Sequence, residues 1–355
     1  MKTLLNTLYV QTSGAYLHLD HETLKVEINK EVRLQVPLHH LGSLVLFGEV
    51  MVSPGLLGRC AQDGRSVTWL SRSGRFLGRL EGPVSGNVLL RRAQHQAMDS
   101  PLRTLEVARN LVAGKLKNQR NVILRSARET DAPQDHELLG HTAQLLGEIL
   151  LQLPAVTDLD TLRGLEGDAA RHYFAGFSSM LRADRETFAM KGRTRRPPLD
   201  PTNALLSFLY ALLLSDCVAG AQGVGLDPQM GFLHSLRPGR PSLGLDLMEE
   251  FRPILADRLT LTLINRRQLS EPDFDRRTGG AVLLNDVGRK KVVVAYQERK
   301  QEGFFIPGCN KRCPWAWCPT SRPGCWPGTC GVNWRPILLI STSREMFYDD
   351  RPGDL

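Results

Sequence analysis

The sequence of 355 residues lacks any long uninterrupted hydrophobic run. Its first twenty residues hold one early lysine and a broken apolar stretch without a small-residue cleavage site, so we predict no signal peptide. The most apolar segment, residues 204–214, is interrupted by Ser207 and is shorter than the ~20 residues that span a bilayer. We interpret it as a buried helix. The sequence also lacks an internal repeat, and we expect a cytoplasmic globular protein.

Cysteine is scarce through most of the chain. Of seven cysteines, only Cys60 and Cys217 lie in the first 300 residues, which argues against a disulfide scaffold and favours free thiols in a reducing compartment. The others crowd into the tail with irregular spacing and without the CxxC pair that is typical of zinc sites. They are Cys309, Cys313, Cys318, Cys325 and Cys330.

Positive charge is in modest excess, with a formal net charge of +8 at pH 7. A basic excess alone is weak support for a nucleic-acid partner. The basic residues are grouped, and each group alone is typical of a solvated face, but beside a carboxylate site they would suit a DNA path, because phosphate contacts need no base reading. The candidate DNA-binding residues are Lys115, Lys117, Arg120, Lys191, Arg193, Arg195, Arg196, Arg237, Arg240, Arg266 and Arg267.

Two patterns divide the chain. Short segments with alternating apolar and polar residues, separated by turn residues, predict a small β-sandwich or barrel before about residue 90. These segments are residues 16–19, 24–28, 32–36, 43–47, 66–70 and 75–80, with one short helix in 54–63. Helical spacing of apolar residues follows the basic stretch 88–98. The predicted helices are 102–128, 136–153, 159–181, 203–221 and 247–265.

These patterns predict an α+β fold in three parts. An N-terminal β-sandwich-like domain covers residues 1–90, and an all-α domain covers residues 91–302. Residues 303–355 form an atypical tail rich in Cys, Pro and Trp.

Three polar segments interrupt the helical part. Glu166 lies close to Gly164 and Gly167, although glycine in a helix interior costs ~1 kcal/mol. Small neighbours leave room for a ligand to approach the carboxylate. By itself the segment is also typical of a helix start with loosely placed glycines, and a lone histidine such as His234 is more often a satisfied core residue.

Asp246 and Glu249 lie three residues apart and therefore share one face of a helix. Glu250 is rotated away by about 100° and can pair with Arg252 or with solvent. One imidazole together with carboxylates suits Mg²⁺ or Mn²⁺, whereas zinc more often draws several His or Cys ligands.

Four ordered segments carry a family resemblance: GKLKNQR (114–120), RGLEGDAARHYF (163–174), RTRRPPLDPTNALLSFLYALL (193–213) and GFLHSLRPGRPSLGLDLMEEFRP (231–253). They resemble the CRISPR-associated adaptation endonuclease and integrase family, the "Cas-one" family. The wording DLMEEFRP resembles its type I-C-like branch. The resemblance extends from residue 1 to residue 302.

The resemblance implies a metal-dependent DNA endonuclease and integrase that inserts short foreign DNA fragments into a CRISPR array by transesterification. It implies a homodimer joined through the β domain, a small ferredoxin-like partner subunit, and Mg²⁺ or Mn²⁺. By the same resemblance Glu166, His234 and Glu249 are catalytic metal ligands, with Asp246 as a further ligand; the family often has Asp in place of Glu249. The alternative is a catalytically impaired DNA-binding scaffold of the same adaptation complex.

The tail departs from the family, which usually continues past Lys300 with a His-Pro-Phe-like segment and another amphipathic helix. Here the residues after 302 are rich in Cys, Pro, Gly, Trp and Arg. We interpret the tail as read out of frame or disordered. A zinc knuckle built from the five tail cysteines is the alternative.

Overall fold

The computed structural model describes residues 7–83, 88–305 and 312–314 of the chain. The N-terminal part consists of eight strands and one helix. They are β1 (Thr7–Val10), β2 (Tyr16–Asp20), β3 (Thr23–Ile28), β4 (Glu31–Pro37), β5 (Ser43–Phe47), β6 (Met51–Val52), α1 (Pro54–Gln62), β7 (Ser66–Leu70) and β8 (Phe76–Leu80). Each strand that was predicted from alternation is present.

These strands form two four-stranded sheets, ordered β1-β5-β7-β8 and β4-β3-β2-β6. In the first, β1, β5 and β7 are parallel and β8 is antiparallel to β7. In the second, β2, β3 and β4 form an antiparallel meander. Asn29 and Lys30 connect β3 to β4 with φ of 53° and 66°, and two positive φ values are what a tight type I′ hairpin turn requires.

Helices form most of the remaining described chain. They are α2 (Val88–Met98), α3 (Pro101–Glu129), α4 (Pro133–Gln152), α5 (Leu159–Ala175), α6 (Arg185–Phe188), α7 (Pro201–Gly223), α8 (Ser242–Phe251), α9 (Arg258–Asn265) and α10 (Asp286–Gln301). A hairpin of β9 (Phe274–Arg276) and β10 (Val282–Leu284) precedes α10. The predicted fold class, a β region followed by a mostly helical part, is confirmed.

The two faces of β5 connect the two parts. Leu44 and Leu46 are buried in the core between the sheets and α1, whereas Val45 and Phe47 join the core of the helical part. Side chains of a strand alternate between its two faces, so one short strand serves both cores. Phe47 also stacks on Phe208 of α7, with 5.7 Å between the ring centroids.

The helix predicted at residues 247–265 is not continuous. Between α8 and α9 the segment Arg252–Asp257 forms a π-helical turn. Pro253 explains the irregularity, because proline has no N–H to donate and its ring clashes with the carbonyl four residues earlier. Single π turns inside α-helical paths are frequent at functional sites.

Helix α7 is longer than the apolar segment that the sequence analysis identified. By length and composition it could cross a membrane, but 61% of its most apolar window is buried inside the protein. Its N-cap, Asp200, accepts a hydrogen bond from the Asn203 backbone at 2.7 Å. The interpretation of this segment as a buried helix agrees with this packing.

Other differences are local. The helix predicted at 159–181 ends at Ala175 and is followed by a 3-10 turn, Phe177–Met180, and neither α10 nor the β9–β10 hairpin was predicted. At the start of the tail, β11 (Gly303–Phe305) pairs antiparallel with β12 (Arg312–Pro314). The remainder of the tail, with the proposals of a zinc knuckle or a shifted frame, lies outside the described residues.

Candidate active site

Four elements bring the candidate residues together in the helical part. Helix α5 carries Glu166, helix α8 carries Asp246 and Glu249, and the loop before α8 carries His234. Helix α3 adds Lys115, which was predicted from sequence only as a DNA contact. The structure therefore gathers the predicted ligands from separate segments of the chain.

Asp246 fixes the loop that presents the histidine. Its carboxylate is fully buried and accepts hydrogen bonds from the backbone N–H groups of Phe232 at 2.5 Å, Leu233 at 3.0 Å and His234 at 3.0 Å. Gly231 completes the close approach, because a Cβ there would lie 2.5 Å from the Ser242 carbonyl carbon. Three converging donors satisfy a buried carboxylate and hold the loop against α8.

Asp246 also sets the orientation of the His234 ring. His234 Nδ1 lies 2.7 Å from Asp246 Oδ1. A carboxylate can only accept, so Nδ1 carries the hydrogen, and the lone pair of the neutral ring is on Nε2. Nε2 is directed toward Glu249, whose Oε1 is 3.7 Å away. A carboxylate behind an imidazole is the arrangement that orients metal-binding histidines.

Glu249 is almost fully buried, with 2% of its side chain exposed. Its Oε1 lies 2.6 Å from Arg252 Nη1, and its Oε2 lies 2.7 Å from Lys115 Nζ. Oε2 nevertheless accepts no well-aligned hydrogen bond within the described chain. Burial opposes ionisation, but Arg252 and Lys115 outweigh it and lower the pKa of Glu249 to about 2.

Glu166 forms the open side of the cluster. Its carboxylate also binds Lys115 Nζ, and 26% of its side chain is exposed. A Cβ added at Gly164 or Gly167 would meet open space. The helix surface at both glycines is therefore uncovered.

The ammonium of Lys115 stands between the Glu166 and Glu249 carboxylates. Across the described residues, no three His, Cys, Asp or Glu side chains are grouped as they would be around a metal ion. The donor types nevertheless fit an oxygen-preferring cation, because the cluster offers one free imidazole lone pair and two carboxylates, one of which has a buried oxygen without a well-aligned hydrogen bond.

Arg252 has a different partner from the one expected. The sequence analysis offered it as a partner of Glu250, whereas the structure pairs its guanidinium with Glu249. The Glu250 carboxyl lies beside Gly114 of α3, where an added Cβ would be 3.1 Å from its Cδ. Arg252 is thus a residue of the site that sequence reasoning missed, although its position three residues after Glu249 was a usable signal.

A second buried acid behind the site was also missed. Asp257 ends the π turn and accepts hydrogen bonds from Tyr173 Oη at 2.9 Å and Tyr210 Oη at 2.7 Å. The Tyr210 ring faces the guanidinium groups of Arg193 and Arg252, whose central carbons lie 5.3 and 5.1 Å from its centroid. Asp257 is thereby connected to a cation of the candidate site.

Burial raises the pKa of Asp257 from 3.8 to about 6. The effect of burial outweighs the hydrogen bonds from Tyr210 and Tyr173 and the charges of Arg252 and Arg193, all of which lower the pKa. A folded-state pKa above the unfolded value means that the folded state binds the proton more tightly. Its contribution to stability is therefore complete below about pH 4 and is lost as the pH rises through 6. The shift corresponds to ~3 kcal/mol.

Asp257→Asn should remove this pH dependence. Relative to the variant, the wild type should lose ~3 kcal/mol of unfolding free energy between pH 4 and pH 7, as measured by urea unfolding at a series of pH values. Asp160→Asn, which changes an exposed carboxylate on α5, is the control. A difference between wild type and Asp257→Asn that stays constant over this range would contradict the assignment.

The predicted DNA-binding residues occupy different environments. Lys115 is buried in the site, and the Arg193 guanidinium donates to Asn203 Oδ1 at 2.7 Å and Ser207 Oγ at 3.0 Å. Arg120 is half-buried and donates to the Ala143 carbonyl, and Arg240 is half-buried as well. The exposed members are Lys117, Lys191, Arg195, Arg196, Arg237, Arg266 and Arg267.

The fold and the site together define an α+β protein with a carboxylate-rich, cation-balanced centre in its helical part. The sequence model of the family described as CRISPR associated protein Cas1 matches residues 8–298, and the chain belongs to that family.

Individual relatives agree with this assignment. CRISPR-associated endonuclease Cas1 1 of Moorella thermoacetica is 55% identical over 314 residues, which cover 88% of this chain and 92% of the relative. Among solved structures, a CAS1 protein from Thermotoga maritima has a TM-score of 0.72 at 26% identity, covering 82% of this chain and 89% of that one. A chain of a Cas6-RT-Cas1–Cas2 complex has a TM-score of 0.77 at 25% identity, covering 91% and 34%.

Proposed function

We propose that this chain is a metal-dependent DNA endonuclease and integrase of CRISPR adaptation, which inserts short foreign DNA fragments into a CRISPR array by transesterification. The observation that carries the proposal is that Glu249 lies next to both other residues: Lys115 links its carboxylate to that of Glu166, and His234 Nε2 lies 3.7 Å from its Oε1. The name of the Moorella relative, an endonuclease, supports the same class of reaction.

The proposed cofactor is Mg²⁺ or Mn²⁺, held by Glu166, Glu249 and His234 Nε2. When bound, such a cation would act as a Lewis acid on a phosphoryl oxygen. Asp246 would serve mainly as the residue that orients His234, because its oxygens are already engaged by three N–H groups and the imidazole. This differs from the sequence-based prediction of Asp246 as a further ligand.

In the proposed reaction the 3′-hydroxyl of an incoming DNA end attacks a phosphodiester of the array. A new P–O bond to that oxygen forms as the bond to the departing 3′-oxygen breaks, so the number of phosphodiesters is unchanged. Water in place of the hydroxyl gives hydrolysis. Arg252 would hold Glu249 ionised near the reacting phosphate, since it lies 2.6 Å from that carboxylate.

The exposed basic residues are the proposed DNA contacts. Lys191, Arg195 and Arg196 lie close in sequence before α7, and Arg266 and Arg267 follow α9. Exposed Lys and Arg side chains neutralise phosphates without base reading. We include Lys117, Arg237 and the half-buried Arg120 and Arg240 in this surface, whereas Lys115 and Arg193 would have to leave internal contacts to join it.

The remaining assignments are part of the same proposal. Residues 1–90 would be the dimerisation domain and residues 91–302 the catalytic domain, in a cytoplasmic homodimer with a small ferredoxin-like subunit.

Val32 and Leu34 are exposed on β4, which is at the edge of its sheet, and this supports an interface there. The Cas1–Cas2 complex of the structural neighbour supports a partner subunit. DLMEEFRP supports the type I-C-like branch.

The test is strand transfer by the purified chain into a plasmid that carries a CRISPR array. A labelled duplex with 3′-hydroxyl ends should be joined to the plasmid with Mn²⁺ or Mg²⁺ and not with EDTA. The same duplex with 3′-dideoxy ends is the matched control, which should abolish joining and leave hydrolysis. DNA binding without cleavage or joining under either metal would favour the impaired scaffold instead.

A further inference from the structure

Lys115 has a position that its role as a DNA contact does not explain. Only 5% of its side chain is exposed, and its ammonium contacts the Glu166 and Glu249 carboxylates at once. A buried ammonium is costly unless opposite charges compensate it. Its placement therefore depends on the two acids that the proposed function assigns to the metal.

The charges of the cluster are balanced without any divalent ion. Glu166 and Glu249 carry two negative charges, and Lys115 and Arg252 carry two positive charges at contact distance. Asp246 is compensated separately, by three backbone N–H groups and His234. A divalent cation entering between the two glutamates would meet carboxylates whose charge is already neutralised.

The two cations differ in which oxygens they take. Arg252 lies three residues after Glu249 and binds Oε1 of that carboxylate. Lys115 approaches from α3 and spans Glu249 Oε2 and Glu166 Oε1, the only contact among these that links the two carboxylates. A metal shared by Glu166 and Glu249 would require the space that Lys115 Nζ occupies.

We propose that Lys115 is a tethered counter-cation that competes with the divalent ion for Glu166 and Glu249. It stabilises the metal-free protein, is displaced when the ion binds, and thereby weakens metal affinity. This inference rests on the proposed metal site. An ion pair with a purely structural role would be lost on mutation without tightening metal binding.

The experiment uses the full chain and Mn²⁺ as the probe. Lys115→Met removes the charge and keeps an unbranched side chain, and Lys115→Gln keeps hydrogen-bond donation without the charge. Arg125→Met is the matched control, because it removes one positive charge from the exposed face of the same helix. Mn²⁺ affinity is measured by the EPR signal of the free ion, and Tm is measured with and without Mn²⁺.

Both Lys115 variants should bind Mn²⁺ at least about tenfold more tightly than wild type, which corresponds to ~1.4 kcal/mol. Their metal-free Tm should fall, and their Tm gain on adding Mn²⁺ should exceed that of wild type. Arg125→Met should match wild type in Mn²⁺ affinity. If a Lys115 variant is unfolded without metal, the experiment still tests the proposal, because the proposal requires Mn²⁺ to restore the folding of that variant.

Equal or weaker Mn²⁺ binding by both Lys115 variants would overturn the proposal, provided that wild type binds Mn²⁺ and Glu249→Gln does not. That result would leave the proposed function standing. If wild type binds no Mn²⁺ at a site that depends on Glu249, the proposed metal site and the competition by Lys115 fail together.

Discussion

Glu249→Gln is expected to lower metal-dependent strand transfer by on the order of 10³-fold, because the loss of a ligand worth ~4 kcal/mol in the transition state corresponds to that factor. Glu250→Gln, one residue further along α8, should stay within about threefold of wild type. The two substitutions are chemically identical and differ only in direction. Glu249 faces Lys115 and Arg252, whereas the Glu250 carboxyl lies beside Gly114.

Stability has to be measured alongside activity. Gln at position 249 leaves the cations of Lys115 and Arg252 with less negative charge, and breaking a buried ion cluster typically costs ~3–5 kcal/mol. Glu249→Asp is therefore the comparison that conserves the charge. It should retain more activity than Glu249→Gln, whether its Tm equals that of Glu249→Gln or lies below it. Equal losses for Glu249→Gln and Glu250→Gln in folded protein would remove Glu249 from the mechanism.

Local patterns were sufficient where the structure is local. The alternation of β2 and β3 and the helical spacing in α3 predicted those elements, because each buries one face against a nearby core. The three-residue spacing of Asp246 and Glu249 also predicted their shared face. In such segments the spacing of the apolar residues directly identifies the buried face.

Contacts between distant segments were beyond these patterns. Lys115 precedes Glu166 by 51 residues, and on sequence alone it is one of several lysines and arginines on α3. The Asp257 network joins α5, α7 and the π turn through Tyr173 and Tyr210, and none of these residues has a distinctive spacing. The family resemblance supplied the ligands, but only packing showed which cations neutralise them.

The role of Asp246 follows from the same distinction. The family resemblance treats it as a further ligand beside Glu166, His234 and Glu249, whereas its carboxylate accepts hydrogen bonds from the backbone of residues 232–234. A buried acceptor with three backbone donors is a structural element of the site. Its removal should therefore affect folding as well as chemistry.

Asp246→Ala should lower the free energy of unfolding by ~3–5 kcal/mol, because three backbone N–H groups and the His234 ring would lose their acceptor in a buried position. Urea unfolding at neutral pH measures the change. Asp246→Asn should be less destabilising than Asp246→Ala, because one acceptor oxygen remains. It should still lower stability, because its amide N–H₂ would face backbone N–H donors. Mn²⁺ affinity should fall in both variants, because His234 Nε2 would no longer be held toward Glu249.

Asp160→Ala is the control, since that carboxylate is exposed and pairs with Arg163 one turn away on α5. It should leave the unfolding free energy nearly unchanged, as is usual for exposed ion pairs. Destabilisation of Asp246→Ala by less than ~1 kcal/mol would mean that water replaces the carboxylate as acceptor for the N–H groups. Normal Mn²⁺ binding by that variant would show that His234 does not depend on Asp246 for its orientation.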